Sequence, residues 1–207
     1  YEINIGDWSS DVCSSDLMRI ISGKYKGRRI QPPKNLPVRP TTDMSKEALF
    51  NVLNNHFNFE GLKVLDLFSG TGNISYEFAS RGSYPITSVD GDFGCVKFIK
   101  QVATEYDFNI AATKSDVFTY LERCKTSYDI IFADPPYCKG PADRDFIVEL
   151  AEAGVAGLLK GGGVFIAEVQ EGWGTGREGA AEIDGLNLVD TRRYGKNMLL
   201  FYQLPEK

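Results

Sequence analysis

From residue 63 onward the chain alternates strand-length apolar runs with stretches of helical spacing, and this alternation most narrows what it can fold into. Segments 63–67, 86–89, 110–113, 129–133 and 163–169 read as strands. Segments 73–80, 94–106, 117–123 and 145–159 read as helices, the last separated from its strand by a turn at Gly161, Gly162 and Gly163. Strands alternating with helices of this length build parallel βαβ units with helices on both faces of the sheet. Two further strands, 186–192 and 197–203, are joined only by a tight connection around Tyr194, Gly195 and Lys196, which is too short for a parallel crossover. The expected fold is therefore α/β: a doubly wound, mostly parallel, Rossmann-like seven-stranded sheet with an antiparallel C-terminal hairpin.

The N-terminal quarter reads differently. A short apolar strand at residues 18–21 runs into glycines among Lys24, Lys26, Arg28 and Arg29, with Tyr25 between them. Pro32, Pro33, Pro37 and Pro40 then keep the chain extended, and Thr41, Thr42 and Asp43 are helix-capping residues ahead of a helix over 43–54. The net charge of −5 divides accordingly. Residues 18–60 carry eight Lys or Arg against Asp43, Glu47 and Glu60, a balance of +5, while 61–207 carry −6. An acidic total conceals a basic arm, so it does not exclude a nucleic-acid partner.

Residues 1–17 hold the remaining −4 and show no hydrophobic period. The stretch WSSDVCSSDL resembles a translated sequencing adapter, so the natural protein is expected to start at Met18, with a disordered leader as the alternative. The stretch has neither the basic start nor the apolar core of a signal peptide. Beyond it, Cys95, Cys124 and Cys138 are an odd, scattered set without a CxxC pair. No disulfide framework and no metal site are expected, and a cytoplasmic location fits. With 43% hydrophobic and 25% charged residues and no apolar run of membrane length, a globular protein with no membrane partner is expected.

The first strand of the alternating part ends in a loop, Phe68, Ser69, Gly70, Thr71 and Gly72, and a helix follows. Glycines at such a turn let a ligand approach the backbone at the carboxyl end of a parallel strand. The dinucleotide fingerprint wants a third glycine where this chain has Ser75. Asp66 precedes the loop, where a carboxylate repels a pyrophosphate but accepts from an ammonium group. Asp90 ends the second strand, where an acid can take both ribose hydroxyls. Asp116, followed by Val117, comes after the third and is either an adenine-edge contact or a helix cap. Three acids at successive strand ends suit a cofactor with an amino acid, a ribose and an adenine but no phosphate: S-adenosylmethionine.

The fourth strand delivers Asp134, Pro135, Pro136 and Tyr137 to the same edge. The prolines fix φ, so the Pro135 carbonyl can be aimed into a site beside the Asp134 carboxylate, while Tyr137 offers a flat face. Two acceptors on the hydrogens of a planar exocyclic amino group favour its pyramidal, nucleophilic form, and stacking on Tyr137 positions the base.

DPPY together with FSGTG resembles the signature of amino-group methyltransferases of the class I Rossmann-like type. MRIISGKYKGRRI, RPTTD at 39–43, KEALFNVL at 46–53 and the terminal RRYGKNMLLFY resemble the bacterial 16S rRNA guanine-N2 methyltransferase family that modifies guanine 966. The resemblance covers residues 18–202. It implies methyl transfer from S-adenosylmethionine to a guanine N2 amino group in 16S ribosomal RNA, free or in the assembled 30S particle, by a monomer. On this resemblance Lys24, Lys26, Arg28, Arg29 and Arg39 hold RNA phosphates with Thr41 and Thr42 beside them, and Tyr25 stacks on a base. It divides the chain into a leader (1–17), an RNA-binding arm with an accessory helix (18–60) and a methyltransferase domain (61–207). The lone histidine, His56, falls on the accessory helix and is given a structural part. DNA adenine-N6 methylation also uses DPPY but usually with a separate recognition domain; glutamine methylation typically has Asn in place of Asp134. A non-catalytic RNA-binding protein on a decayed fold would have lost the loop or DPPY.

Overall fold

The computed structural model describes residues 17–37, 43–136, 145–171 and 183–206. Val64, Leu65 and Leu67 are fully buried, so β3 (Val64–Leu67) has apolar side chains on both faces, as a central parallel strand requires. It is preceded by a two-stranded ribbon, β1 (Met18–Arg19) with β2 (Arg29–Ile30), and by α1 (Asp43–Asn54). After it come α2 (Asn73–Ser80), β4 (Ile86–Asp90), α3 (Phe93–Glu105), β5 (Ile110–Lys114), α4 (Val117–Arg123) and β6 (Tyr128–Ala133). The chain finishes with α5 (Phe146–Glu152), β7 (Leu159–Gln170), β8 (Asn187–Tyr194) and β9 (Asn197–Gln203).

The seven main strands lie in the order β5-β4-β3-β6-β7-β9-β8, parallel except for β9, which runs antiparallel to both of its neighbours. The order reverses between β3 and β6, which makes the carboxyl edge of these two strands the switch point where open α/β sheets bind ligands. Leu49, Phe50 and Leu53 of α1 and Ile74 and Phe78 of α2 cover one face, while Val117, Leu121, Ile147 and Leu150 of α4 and α5 cover the other. Met18, Ile20 and Ile30 of the arm pack with Tyr76 of α2 and Val96 and Ile99 of α3.

Two expectations need correction. The helix expected over 145–159 stops early: Asp145 caps it through Ile147 N–H at 3.2 Å and Val148 N–H at 3.4 Å, it ends at Glu152, and one 3-10 turn (Val155–Leu158) follows. Gly154 at φ 85 is the reason, since that left-handed backbone ends the α-helical path at little cost only for glycine. The glycines expected to make a turn, Gly161, Gly162 and Gly163, fall inside β7, which starts at Leu159 opposite Tyr128 and resumes at Val164 opposite Ile130; they form the irregularity between these two paired positions, with Gly162 at φ 78. The loop at 172–181 lies outside the described residues. Among the described residues no helix is long and apolar enough to cross a membrane.

Candidate functional site

The loop after β3 turns tightly into α2. Gly72 sits at φ 80, and a Cβ there would come within 2.8 Å of Ile99 Cγ1 and the Tyr76 ring, so only glycine fits between these helices. Phe68 adopts φ 57, an uncommon backbone for a bulky residue, and its ring meets Phe118 at 6.3 Å and Phe146 at 5.7 Å. Those contacts, from α4 and α5, hold the strained turn in place. Ser69 Oγ is buried without a hydrogen-bond partner among the described residues. Thr71 points away from the cleft, its hydroxyl donating to Met18 Sδ at 3.1 Å.

Asp90, at the end of β4, closes the loop from the side: its carboxylate accepts from Gly70 N–H and from Asp92 N–H, each at 2.8 Å. Each oxygen keeps a lone pair for a further donor. Asp116 is exposed and caps α4, accepting from Thr119 N–H at 3.0 Å, which is the cap alternative for this residue; Val117 behind it is buried. Phe93, which the sequence did not single out, is 65% exposed and begins α3 just beyond Asp90.

The carboxyl edge gathers acids on one face. Phe132 of β6 is registered with Asp66 of β3 and with Ile166 of β7. Side chains two residues apart along a strand share a face, so Asp66, Asp134 and Glu168 all lie on the α1–α2 side. Asp66 is 1% exposed and accepts from Ser75 Oγ at 2.5 Å, and Ser75 in turn meets Ser88 Oγ at 2.7 Å. Burial pushes the Asp66 carboxyl up to about 7; the Ser75 hydrogen bond offsets part of this and the charge of Asp90 adds to it. Asp134, whose N–H donates to Leu67 O at 3.4 Å, is held well above the usual carboxylate range, first by burial and then by the negative charges of Glu168 and Asp66. Pro135 is buried and Pro136 exposed; Tyr137 lies outside the described residues.

Buried carboxyls that raise one another's pKa form a place where a bound cation is stabilised, because it favours the ionised form of each. This, the orphaned Ser69 hydroxyl and the spare lone pairs of Asp90 fit a ligand carrying an ammonium or sulfonium charge and ribose hydroxyls. S-adenosylmethionine has those groups. Among the described residues no cluster of His, Cys, Asp and Glu could hold a metal ion.

The arm is tied to this site through the accessory helix. Lys46 of α1, fully buried, donates to Arg19 O and to Asn73 Oδ1 at 3.0 Å, and lies 3.8 Å from Glu77 Oε2. Burial lowers the Lys46 pKa, and Glu77 and Asp43 pull it back up. Glu77 also accepts from Ile21 N–H, Ser22 N–H and Arg81. From there the hairpin runs down α2, so that Lys24 N–H reaches Ser80 O at the far end of that helix. Lys24, Lys26, Arg28 and Arg29 are exposed along this flank rather than at the cleft. The stacking role expected of Tyr25 is not what its ring does: it packs edge-on against Tyr106 and Phe108 at 5.4 and 5.1 Å, and its hydroxyl donates to Tyr106 O. Arg39, Thr41 and Thr42 lie outside the described residues, as does Cys138; His56 is exposed beyond the end of α1.

Lys46, Ser75 and Glu168 were missed from sequence. A signal existed for Glu168, a lone acid in the apolar run VFIAEV, since a charge within a doubly buried strand is rare unless it serves something.

The family model described as conserved hypothetical protein 95 matches residues 18–203. A curated protein of Buchnera aphidicola subsp. Baizongia pistaciae, "Ribosomal RNA small subunit methyltransferase D", is 34% identical over 121 residues. The match takes in 58% of this chain and 61% of that protein, so the chain spans less than two thirds of this relative's length. Among solved structures, the Escherichia coli protein yhhF superposes with a TM-score of 0.72 at 27% identity, covering 91% of this chain and 98% of that one. A T. thermophilus 16S rRNA N2 G1207 methyltransferase in complex with AdoMet and guanosine gives a TM-score of 0.69 at 20% identity, over 91% of this chain and 50% of that one. These likenesses establish the class I methyltransferase fold.

Proposed function

The chain belongs to the family described as conserved hypothetical protein 95, and from that premise we propose that it transfers a methyl group from S-adenosylmethionine to the exocyclic N2 amino group of a guanine in 16S ribosomal RNA. The observation that carries the reading is the convergence of Asp66, Asp134 and Glu168 on one face of the switch point, with both charges acting on Asp134 negative. Such a grouping of acids suits a cationic cofactor and an electron-poor amino group together. The name of the Buchnera relative supports small-subunit ribosomal RNA as the substrate.

When bound, S-adenosylmethionine supplies an electrophilic methyl group on a positively charged sulfur. Asp90, held by Gly70 and Asp92, accepts from the ribose hydroxyls, and Asp66 offsets the ammonium charge through the closed side of the loop. Beside a bound cation the Asp134 carboxyl ionises. It and the Pro135 carbonyl then accept the two amino hydrogens of the base, which draws the nitrogen lone pair out of conjugation and toward the methyl carbon. As the C–N bond formed, the methyl–sulfur bond would break with its electron pair returning to sulfur, leaving the neutral thioether of S-adenosylhomocysteine, and Asp134 would accept the proton the nitrogen releases, a task its raised basicity suits. Val117 and Phe93 bracket the adenine side in this reading, and Tyr137 stacks on the guanine.

The division into an arm (18–60) and a methyltransferase body (61–207) belongs to the same proposal. Arg28, Arg29, Lys24 and Lys26 hold phosphates along the α2 flank, and Arg39, Thr41 and Thr42 are assigned to RNA with them. The substrate is the free RNA or the 30S particle, and the protein acts as a cytoplasmic monomer without metal. The test is incubation with labelled S-adenosylmethionine and undermethylated 30S particles, free rRNA or duplex DNA. Label recovered as N2-methylguanine from the rRNA samples is expected. Label in DNA, or in none of them, overturns the reading.

A further inference from the structure

The segment RRYGKN at 192–197 carries three cations that the methyl-transfer step leaves without a task. Its place follows from strand register. β7 runs parallel to β6, so its last residues lie at the carboxyl edge with Asp134. β9 starts there, because Asn197 is opposite Gln170, and β8 ends there, because Tyr194 is opposite Asn197. The turn between them, Gly195 and Lys196, therefore projects at the edge that holds the glycine loop and Asp134. Glu171 N–H ties it to the end of β7 by donating to Lys196 O at 2.7 Å. Gly195 at φ 56 supplies the backbone that a two-residue hairpin turn needs, so the tip is short and held.

Ala133 and Ala167 are registered, as are Glu168 with Leu199 and Leu199 with Arg192. Asp134, Glu168, Leu199 and Arg192 thus form one row on the α1–α2 face, with Arg192 three strand spacings, roughly 14 Å, from Asp134 in the backbone. Arg192, Arg193 and Lys196 are all exposed. Arg192 Nε donates to Asp190 Oδ2 at 2.9 Å, and Nη2 lies 2.9 Å from the same oxygen. That contact orients the guanidinium while engaging only one side of its fork of donors. Arg193 Nη1 lies 3.5 Å from Glu171 Oε1, a solvated pair between side chains 71% and 53% exposed, which contributes little and yields to a stronger acceptor.

We propose that this hairpin tip is a second phosphate-binding site, in which Arg192, Arg193 and Lys196 take the RNA backbone phosphates beside the target guanine. The inference rests on ribosomal RNA as the substrate and adds where its backbone is gripped close to the reaction. A polyanion has to approach an edge that gathers Asp66, Asp90 and Asp134, and the cations of the arm, Lys24, Lys26, Arg28 and Arg29, lie along the α2 flank instead. The tip puts positive charge at the edge itself. Among the described residues the acids that meet these cations are Asp190 and Glu171, both at the surface. A phosphate accepts from a guanidinium through two parallel bonds, so it competes well with such single, solvated pairs. The Arg192 side chain spans part of the distance along the row. An extruded nucleotide whose base enters the site beside Asp134 therefore leaves its backbone within reach of the tip.

The experiment compares the whole protein with the double variant Arg192→Gln, Lys196→Gln, using small-subunit rRNA both free and assembled into particles. A second double variant, Lys100→Gln with Lys125→Gln, removes the same charge from exposed positions on α3 and ahead of β6, away from the carboxyl edge. Affinity is measured across a salt series, and methyl incorporation gives kcat and KM. The tip variant should bind rRNA about tenfold more weakly, and the slope of log K against log salt should fall by about 1.5, from two lost phosphate contacts. KM for rRNA should rise while kcat stays within about threefold, and the affinity for S-adenosylmethionine should not move. The slope is independent of how much protein is active, so a partly folded preparation cannot imitate the result. An unchanged slope in the tip variant, with label still entering rRNA, overturns the inference and leaves methyl transfer standing. An equal loss in the Lys100, Lys125 variant also overturns it, because overall charge is then the cause. Weakening with particles but not with free rRNA overturns it too, by assigning the tip to a ribosomal protein. A wild type that labels no rRNA removes the methyl-transfer reading itself, and this inference with it.

Discussion

Lys46 Nζ lies 3.0 Å from Asn73 Oδ1, so the accessory helix α1 grips the first residue of the helix that follows the glycine loop. The same ammonium meets Arg19 O and approaches Glu77, which collects backbone N–H groups of the arm. Arm, accessory helix and cofactor loop are therefore one mechanical unit.

Replacing Lys46 by Met keeps the buried stem and removes the charge. Glu77 retains Arg81 and two backbone donors, so the loss should be moderate, about 2 kcal/mol in urea unfolding. S-adenosylmethionine should bind more weakly in calorimetry, because the first residue of α2 loses its contact with α1. An unchanged midpoint together with unchanged affinity would show the link to be idle.

Asp66 makes the ligand-free protein sensitive to pH. Its folded carboxyl titrates near 7 against an ordinary 3.8, so the stability it lends is complete at low pH and is lost as pH rises through about 7. The ligand-free melting temperature should fall between pH 5 and pH 8, by on the order of 5 °C from this group. Asp66→Asn should flatten that slope. The stabilisation conferred by S-adenosylmethionine should be larger at pH 8, where the acid is already ionised; a shift that is the same at both pH values contradicts the assignment.

Asp134→Ala should lower methyl transfer by about a hundredfold or more while the cofactor still binds. Single-turnover rates beside cofactor titration separate the two. Full activity in this variant would refute its role.

At Gly72 an added methyl group has nowhere to go, with Ile99 and Tyr76 at 2.8 Å and φ at 80. Gly72→Ala should cost about 2 kcal/mol and weaken cofactor binding. Thermal unfolding with and without S-adenosylmethionine measures both, and a variant as stable as the parent would show that the helices give way freely.

Charge reversal at Arg28 and Arg29 should weaken RNA binding and reduce the salt slope by roughly one per lost phosphate contact, with cofactor affinity unaltered. Both side chains are exposed on the α2 flank, so folding should tolerate the change. An identical slope would take the arm out of RNA binding.

Much of the architecture is legible in the residues themselves. Buried parallel strands and their covering helices have different periods, and glycine, proline and capping acids mark where one gives way to the other. Asn73–Ser80 and Val117–Arg123 therefore stand at the bounds the pattern predicts. The pattern falls short at β7, which begins at Leu159 and carries Gly161 to Gly163 as an irregularity between two positions paired with β6.

The residues alone determined that acids end three successive parallel strands beside a glycine turn, and that an Asp-Pro-Pro follows the fourth, because these are local spacings that any βαβ chain must deliver to one edge. Only the tertiary structure decided that Asp134 has Glu168 as its neighbour, that Lys46 reaches the helix after the loop from 27 positions away, and that Tyr25 is engaged by Tyr106 and Phe108. Strand register and helix packing set those contacts. They join residues distant in sequence, and a period read along the chain carries no information about which faces will meet.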